Sequence, residues 1–243
     1  WSLASAALEY AGPLHALWRR LPEVLRSDSG ADTGLFKDVA ANPVRRALHH
    51  RMLSSYARHD YALLPAKLPI RDGDRVVDAG GGTGTLATLV ERFWPTAHVT
   101  LFDLPGVVDV AEVLPNVERV GGDLFAPWPL SADVVLLARV LHDWADPEAL
   151  ALLEHACAAL RPGGRLVVVE RPTSDDGIDG ALCDLHLLAA SGGAERSRAG
   201  YVELLLRAGL VVTETAALSS GSVMFAALPG SVTPAVKNLE GIQ

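Results

Sequence analysis

The chain of 243 residues is poor in basic residues: 21 Lys and Arg stand against 29 Asp and Glu, a formal net charge of -8. A nucleic-acid binder would carry a basic face to neutralise phosphates, so that class is excluded. Arg outnumbers Lys 18 to 3, which reads as nucleotide-composition bias. Only two cysteines occur, Cys157 and Cys183, with no CxxC-type spacing. A disulfide framework and a thiolate metal site are not expected, and a reducing cytoplasm is the default location. No apolar run approaches the roughly 18 residues that span a bilayer, and no signal peptide opens the chain. Internal repeats and low-complexity tracts are missing too. The first residue is Trp1 and not an initiator Met, which implies trimming or excision from something longer.

What is present is a large apolar fraction, 49% hydrophobic residues, enough to bury a sizeable core. Residues 1–69 read as a helical segment. Asn42-Pro43 starts one helix with a capping side chain and a first-turn proline. Val44, Leu48, Met52 and Tyr56 then recur every four residues as an apolar stripe. That phase leaves His49 and His50 on the helix surface.

From residue 70 the pattern alternates. Strands are expected at 75–79, 98–103, 117–120, 132–138, 165–170, 210–214 and 222–227. Helices are expected to about Phe93, at 107–113, from Asp146 to Leu160, at 178–190 and at 199–208. Asp146-Pro-Glu148 should cap the third of these, and Arg161-Pro-Gly-Gly164 should stop it. The implied fold is α/β, a doubly wound and mostly parallel seven-stranded sheet with an N-terminal helical segment. The last strand follows its predecessor after a short loop and should run antiparallel. Residues 70–230 form this unit, and residues 231–243 read as a poorly packed tail.

Chemistry concentrates at the carboxyl ends of the strands. Val76-Val-Asp-Ala-Gly-Gly-Gly-Thr-Gly84 joins the first strand to a helix, where glycines permit a sharp turn and close approach to a ligand. Its Asp-x-Gly-x-Gly-x-Gly spacing departs from the Gly-x-Gly-x-x-Gly dinucleotide fingerprint. Asp103 ends the second strand, where it can accept both hydroxyls of a ribose; alone it would read as a helix cap or a solvated turn. Gly122-Asp-Leu-Phe125 follows the third strand and offers an acid with apolar walls. Past the fourth strand comes Val140-Leu-His-Asp-Trp144. A lone histidine there would read as structural, but beside a ligand loop His142 is placed to remove a proton, with an ordinary pKa that suits the task. Glu170 ends the fifth strand and Glu195 follows in a glycine-containing loop. Either could orient His142, or simply pair with Arg171 and Arg196 respectively.

Together these motifs resemble the class I S-adenosylmethionine-dependent methyltransferases, and more narrowly the small-molecule O-methyltransferases of plant caffeate and bacterial polyketide-tailoring type. The resemblance rests on residues 76–84, Phe102-Asp-Leu-Pro105, residues 122–125 and 140–144, Val169-Glu170 and Gly192-Gly-Ala-Glu-Arg196. It implies S-adenosylmethionine as cofactor and S-adenosylhomocysteine as product. The cofactor set it implies is Asp78, Gly80, Gly82, Gly84, Asp103, Leu104, Gly122, Asp123, Leu124, Phe125 and Arg139. Asp103 would bind ribose, residues 123–125 would hold adenine, and residues 80–84 would face the methionine portion. The catalytic set is His142 as general base with Glu170 and Glu195 beside it. Asp143, Trp144 and Met52 would touch the acceptor, although Met52 at helical spacing also reads as plain core. No metal is required, and the eight histidines are scattered along the chain.

Family members carry an N-terminal winged-helix dimerisation domain, and this chain begins after it would end. The partners expected are a small aromatic acceptor, with no nucleic acid and no membrane, and either a homodimer or a separate N-terminal domain. The plant lysine four residues before the histidine is Ala138 here, and residues 188–193 lack the plant acceptor-binding polar residue. Both point to a phenol or aromatic acid of bacterial natural-product biosynthesis. The alternatives are a relative that uses S-adenosylmethionine for hydroxylation, decarboxylation or a pericyclic step, and a non-catalytic partner domain; a nicotinamide oxidoreductase is more distant.

Overall fold

The computed structural model describes residues 3–26, 34–174 and 180–230. The expected tail at 231–243 lies outside the described residues, as does the expected helix start at Ile178. No helix among the described residues is long and apolar enough to cross a membrane.

One sheet of seven strands organises the chain, in the order β3-β2-β1-β4-β5-β7-β6. The strands are β1 (Arg75–Ala79), β2 (His98–Asp103), β3 (Glu118–Gly121), β4 (Ala132–Ala138), β5 (Leu160–Glu170), β6 (Leu210–Ala217) and β7 (Val223–Pro229). The first five pair in parallel, and β7 pairs antiparallel with both β5 and β6. The doubly wound, mostly parallel expectation and the antiparallel closing strand are both observed. Between β1 and β4 the chain order reverses, so a crevice opens at their carboxyl ends.

Strand composition follows from being covered on both faces. Val134, Val135, Leu136 and Leu137 of β4 are all buried, giving a continuous apolar run where a one-sided sheet would alternate. On one face α8 (Asp146–Ala159) and α10 (Arg198–Arg207) contribute Leu152, Leu153, Ala156, Tyr201 and Leu204 to the core. On the other, α6 (Thr85–Phe93) contributes Leu86, Ala87 and Val90. A leucine buried to this degree contributes about 1.5–3 kcal/mol.

Four local expectations need correcting. The helix expected at 107–113 is α7 (Pro105–Val108), started by Pro105 in its first turn. Asp146 does not cap α8: Ala145 precedes the helix, and the Asp146 carboxylate is taken by Arg196 and Arg207. Arg161-Pro-Gly-Gly164 is more than a stop, because β5 begins at Leu160 and these residues bulge out of its pairing with β4.

The fourth concerns the helical segment, comprising α1 (Ala4–Ala11), α2 (Pro13–Trp18), α3 (Leu21–Val24), α4 (Leu35–Ala41) and α5 (Pro43–Asp60). Asn42 caps α5 as expected, its side chain accepting from the N–H groups of Val44 and Arg45. The expected stripe holds at Met52 and Tyr56, which pack into the helical cluster, but not at its first position. Val44 is 80% exposed, while Met52 and His49 are the buried positions. His49 is not on the surface because its ring nitrogen finds a buried partner, the Glu9 carboxylate 3.4 Å away on α1. An apolar stripe cannot reveal a burial made possible by a polar pair.

Candidate active site

A cavity of about 490 Å³ lies at the carboxyl edge of β1 and β4, roofed by α1, α4 and α5 and closed at the side by α9 (Ala181–Ala190). Asp78, Gly80, Gly82, Arg139, His142, Asp143 and Met52 all line it, so the structure brings these expected site residues to one space. Met52 is both wall and core, since it is 3% exposed within the helical cluster. Asp103, Leu104, residues 122–125 and Trp144 sit outside this lining, along the neighbouring strand ends. Gly84 is the residue before α6 and also lies off the cavity, against the Val113 side chain.

The glycine loop is built for close packing. A methyl group on Gly81 would stand 2.6 Å from Asp78 Oδ2, so the loop can fold over the buried carboxylate only with glycine there. Asp78 in turn accepts the Ala87 N–H at 2.9 Å and ties the loop to the first turn of α6. Burial, eased by that bond, pushes its carboxyl up to about 7. Asp103 accepts the N–H groups of Gly82 at 2.8 Å and Leu104 at 2.7 Å. Burial raises it to about 6 against those two bonds. The Asp103 carboxylate is thus fixed at the rim of the loop.

Phe125 and Trp144 meet edge to face, with ring centroids 4.6 Å apart, and Phe36 of α4 stacks on Trp144 at 5.4 Å. The adenine-wall residue and the acceptor residue expected from sequence are therefore parts of one aromatic cluster. Asp123 accepts the Phe125 N–H at 2.9 Å, which sets the turn that carries the ring.

His142 sits in a short 3-10 turn, Leu141–Asp143, directly after β4. Glu170 at the end of β5 is fully buried and satisfied on both oxygens. Oε1 accepts the N–H groups of Val140 and Leu141 at 3.1 and 2.8 Å, and Oε2 lies 2.9 Å from His142 Nδ1. The other ring nitrogen, Nε2, faces Asp143 Oδ2 at 3.5 Å. Burial and the Arg139 guanidinium lower the imidazole, but the Asp143 and Glu170 carboxylates outweigh them and raise it to about 9. Asp143, although buried, is held low by the same imidazole and by Ser191.

Glu195 reaches the site through the loop that follows α9. Ala194 N–H donates to the His142 carbonyl at 2.9 Å, and a side chain on Gly193 would collide with that same carbonyl oxygen. Glu195 is 3.9 Å from His142 Nδ1, beyond a hydrogen bond; its close partners are Arg139 at 2.7 Å and the Tyr201 hydroxyl at 3.1 Å. Arg139 also pairs with Glu170 at 3.3 Å, and so bridges the two glutamates. It is the one non-glycine residue among those described with a left-handed backbone, φ 58°. Neither glutamate pairs with its sequence neighbour: Arg196 instead binds the Leu141 and Trp144 carbonyls and Asp146, bracing the His142 loop from behind.

His142, Glu170 and Glu195 bring potential metal-ligand atoms within 4.8 Å of one another. These are the three residues grouped from sequence as the catalytic set, there without a metal. The positive charge beside their carboxylates is the Arg139 guanidinium.

Residues 31–211 match the family model described as an O-methyltransferase domain. The chain belongs to that family. This O-methyltransferase domain is 30% identical over 239 residues to the mitomycin biosynthesis 6-O-methyltransferase of Streptomyces lavendulae, a match covering 91% of this chain and 67% of the relative. It is 32% identical over 199 residues to the 2,7-dihydroxy-5-methyl-1-naphthoate 7-O-methyltransferase of Streptomyces carzinostaticus, covering 79% of this chain and 60% of the relative. Against other curated relatives the matched share is 33–64% of their length. Among solved structures, the O-methyltransferase NcsB1 of neocarzinostatin biosynthesis, in complex with S-adenosylmethionine and 2-hydroxy-5-methyl naphthoic acid, superposes with a TM-score of 0.82 at 27% identity. That match covers 93% of this chain and 74% of NcsB1.

Proposed function

We propose that this O-methyltransferase domain methylates a hydroxyl of a small aromatic acceptor, using S-adenosylmethionine, with His142 as general base. The observation that carries the reading is the shared cavity: the glycine loop and the His142–Glu170 pair line or back one space of small-molecule size.

S-adenosylmethionine supplies, when bound, an electrophilic methyl group on a sulfonium. The loop residues Gly80 and Gly82, on either side of the Gly81 that packs over Asp78, would face its methionine portion, with Gly84 at the start of α6 and Arg139 beside the loop. Asp103 would hold the ribose diol, with Leu104 beside it. Gly122, Asp123, Leu124 and Phe125 would hold the adenine. The fit rests on the Asp103 carboxylate, fixed by two backbone N–H groups at the loop rim, and on an aromatic wall beside it.

The helical segment of residues 1–69 would roof the acceptor, with Met52, Asp143 and Trp144 around it, and the 70–230 unit would supply the catalytic groups. Glu170 accepts from Nδ1, so the acceptor hydroxyl gives its proton to Nε2. To reach Nε2 the hydroxyl must take the place of the Asp143 carboxylate, which removes one of the two charges that raise the imidazole. General-base help of this kind is worth about 10²–10⁴-fold, and positioning supplies most of the remainder. The name of one relative, a dihydroxynaphthoate 7-O-methyltransferase, supports the acceptor class, and that of another, an O-methyltransferase of mitomycin biosynthesis, supports a natural-product setting.

The test is transfer of label from methyl-labelled S-adenosylmethionine to a panel of phenols and aromatic acids. Labelled product with the native protein, lost with His142→Ala, is expected. Transfer that survives His142→Ala would keep the reaction and remove the base.

A further inference from the structure

Two further histidines of the cavity have no part in this chemistry, although both lie within electrostatic reach of Asp143. His49 of α5 and His186 of α9 both line it. Each has its Nδ1 occupied by a partner of fixed hydrogen-bonding character. His186 Nδ1 receives the Trp18 indole N–H at 3.0 Å. An indole nitrogen can only donate, so this Nδ1 is the bare nitrogen and the proton sits on Nε2. His49 Nδ1 faces Glu9 Oε2 at 3.4 Å, and the Arg45 guanidinium lies 4.0 Å from the same oxygen. Burial raises the Glu9 carboxyl and Arg45 opposes that rise; in its ionised form it can only accept, so the proton then sits on His49 Nδ1 and Nε2 carries the lone pair. The two Nε2 atoms thus differ in character, that of His49 an acceptor and that of His186 a donor.

The supporting groups are costly to keep unless they serve this purpose. Glu9 is fully buried, and its Oε1 has no hydrogen-bond partner among the described residues. Burying a carboxylate without satisfying both oxygens is unfavourable, and an apolar residue in its place would pack α1 on α5 at lower cost. The His186 ring meets Tyr10 at a tilt of 35°, centroids 5.4 Å apart, and Trp18 through that hydrogen bond, centroids 6.0 Å apart. Burial lowers both imidazoles, His49 to about 4, so both are neutral at physiological pH. Neutral rings with fixed tautomers read polar groups; they do not bind anions.

We infer that His49 and His186 form a second anchor for the acceptor, recognising a hydroxyl or a hydroxyl–carbonyl pair on the aromatic system at a position other than the oxygen methylated. Glu9 and Trp18 are positioning residues that set the two tautomers. The inference rests on the proposed acceptor site and narrows its substrate to aromatic systems with a second polar substituent.

The test is calorimetric titration of the protein saturated with S-adenosylhomocysteine. The probes are matched pairs, beginning with 1,4-dihydroxy-2-naphthoic acid and its analogue without the 4-hydroxyl. The wild type should bind the dihydroxy member of at least one pair about tenfold more tightly, the worth of one good hydrogen bond. His49→Phe should bring the two members within about twofold. Glu9→Gln, which keeps the side-chain shape, should shrink the preference with the ring still in place. A melting-temperature rise on adding S-adenosylhomocysteine reports that each variant folds. No preference in any pair for the wild type overturns the inference, as does a preference that survives both His49→Phe and His186→Phe. Because the readout is binding, a preserved preference without methyl transfer would sink the proposed reaction and leave the anchor standing.

Discussion

Glu170 Oε2 lies 2.9 Å from His142 Nδ1, while the other oxygen of the same carboxylate accepts the Leu141 N–H at 2.8 Å. One side chain therefore fixes both the imidazole and the backbone turn that carries it. In Glu170→Gln the amide oxygen can keep the backbone bonds, but its NH₂ then meets the Nδ1 proton. The imidazole is driven to the wrong tautomer, and kcat should fall by about 10²-fold or more with a small change in acceptor KM. Steady-state kinetics of the variant check this; an unaltered kcat would remove Glu170 from the mechanism.

The second expectation concerns pH. His142 is raised to about 9 from an ordinary 6.5. A base must be unprotonated, so kcat/KM should climb as pH rises towards about 9. Asp143→Asn removes a carboxylate from Nε2 and should move that limb to lower pH. Stability runs the other way: a group raised on folding contributes its stabilisation below about 6.5 and loses it as pH rises through about 9. Thermal melts from pH 6 to 10 should fall across that window, and less steeply in Asp143→Asn.

Arg139 bridges Glu170 and Glu195, whose carboxylates have no exposed surface. Arg139→Leu leaves two buried acids without the cation that bridges them, Glu195 keeping the Tyr201 hydroxyl and Glu170 keeping His142 and two backbone N–H groups. A loss of about 3–5 kcal/mol is expected from denaturant unfolding, since one partner of a buried network is removed and the others remain. Arg139→Lys should recover only part of it, because a single ammonium cannot span both carboxylates as the guanidinium fork does.

Gly193→Ala tests the strap behind the histidine. The added methyl group would land on the His142 carbonyl, and the Ala194 N–H bond to that carbonyl would be lost as the loop withdraws. Overpacking of this kind costs about 1–3 kcal/mol. Activity should drop while affinity for S-adenosylhomocysteine, measured by calorimetry, stays near the wild-type value.

Asp103→Ala should weaken S-adenosylmethionine binding by about tenfold to a hundredfold, because two hydrogen bonds to a charged acceptor are removed. An unchanged Kd would displace Asp103 from the ribose site.

Much of the fold was legible because its signals are short-range. The apolar run of β4 and the glycines after β1 are visible in fewer than ten consecutive residues, and parallel strands place their carboxyl ends on one edge. Asp103 and His142 could therefore be assigned to that edge without coordinates. Helix α5 shows where this stops. Its Asn42 cap and the Met52–Tyr56 part of its stripe are local and were readable, but the burial of His49 depended on Glu9, 40 positions away. An apolar stripe carries no sign that a histidine beside it will be buried against a carboxylate.

Partner choice among charges was equally hidden. Sequence adjacency offered Arg171 to Glu170 and Arg196 to Glu195, whereas the fold gave both glutamates to Arg139 and set Arg196 against Asp146 and two carbonyls. The sequence by itself determined the alternation of strands and helices, the ligand loop and the edge on which the chemistry sits, because those follow from local periodicity and from the conformational freedom of glycine. Only the tertiary structure decided which charge meets which, and which imidazole nitrogen is left to act. Electrostatic pairing depends on distances of a few ångströms between residues that lie tens of positions apart.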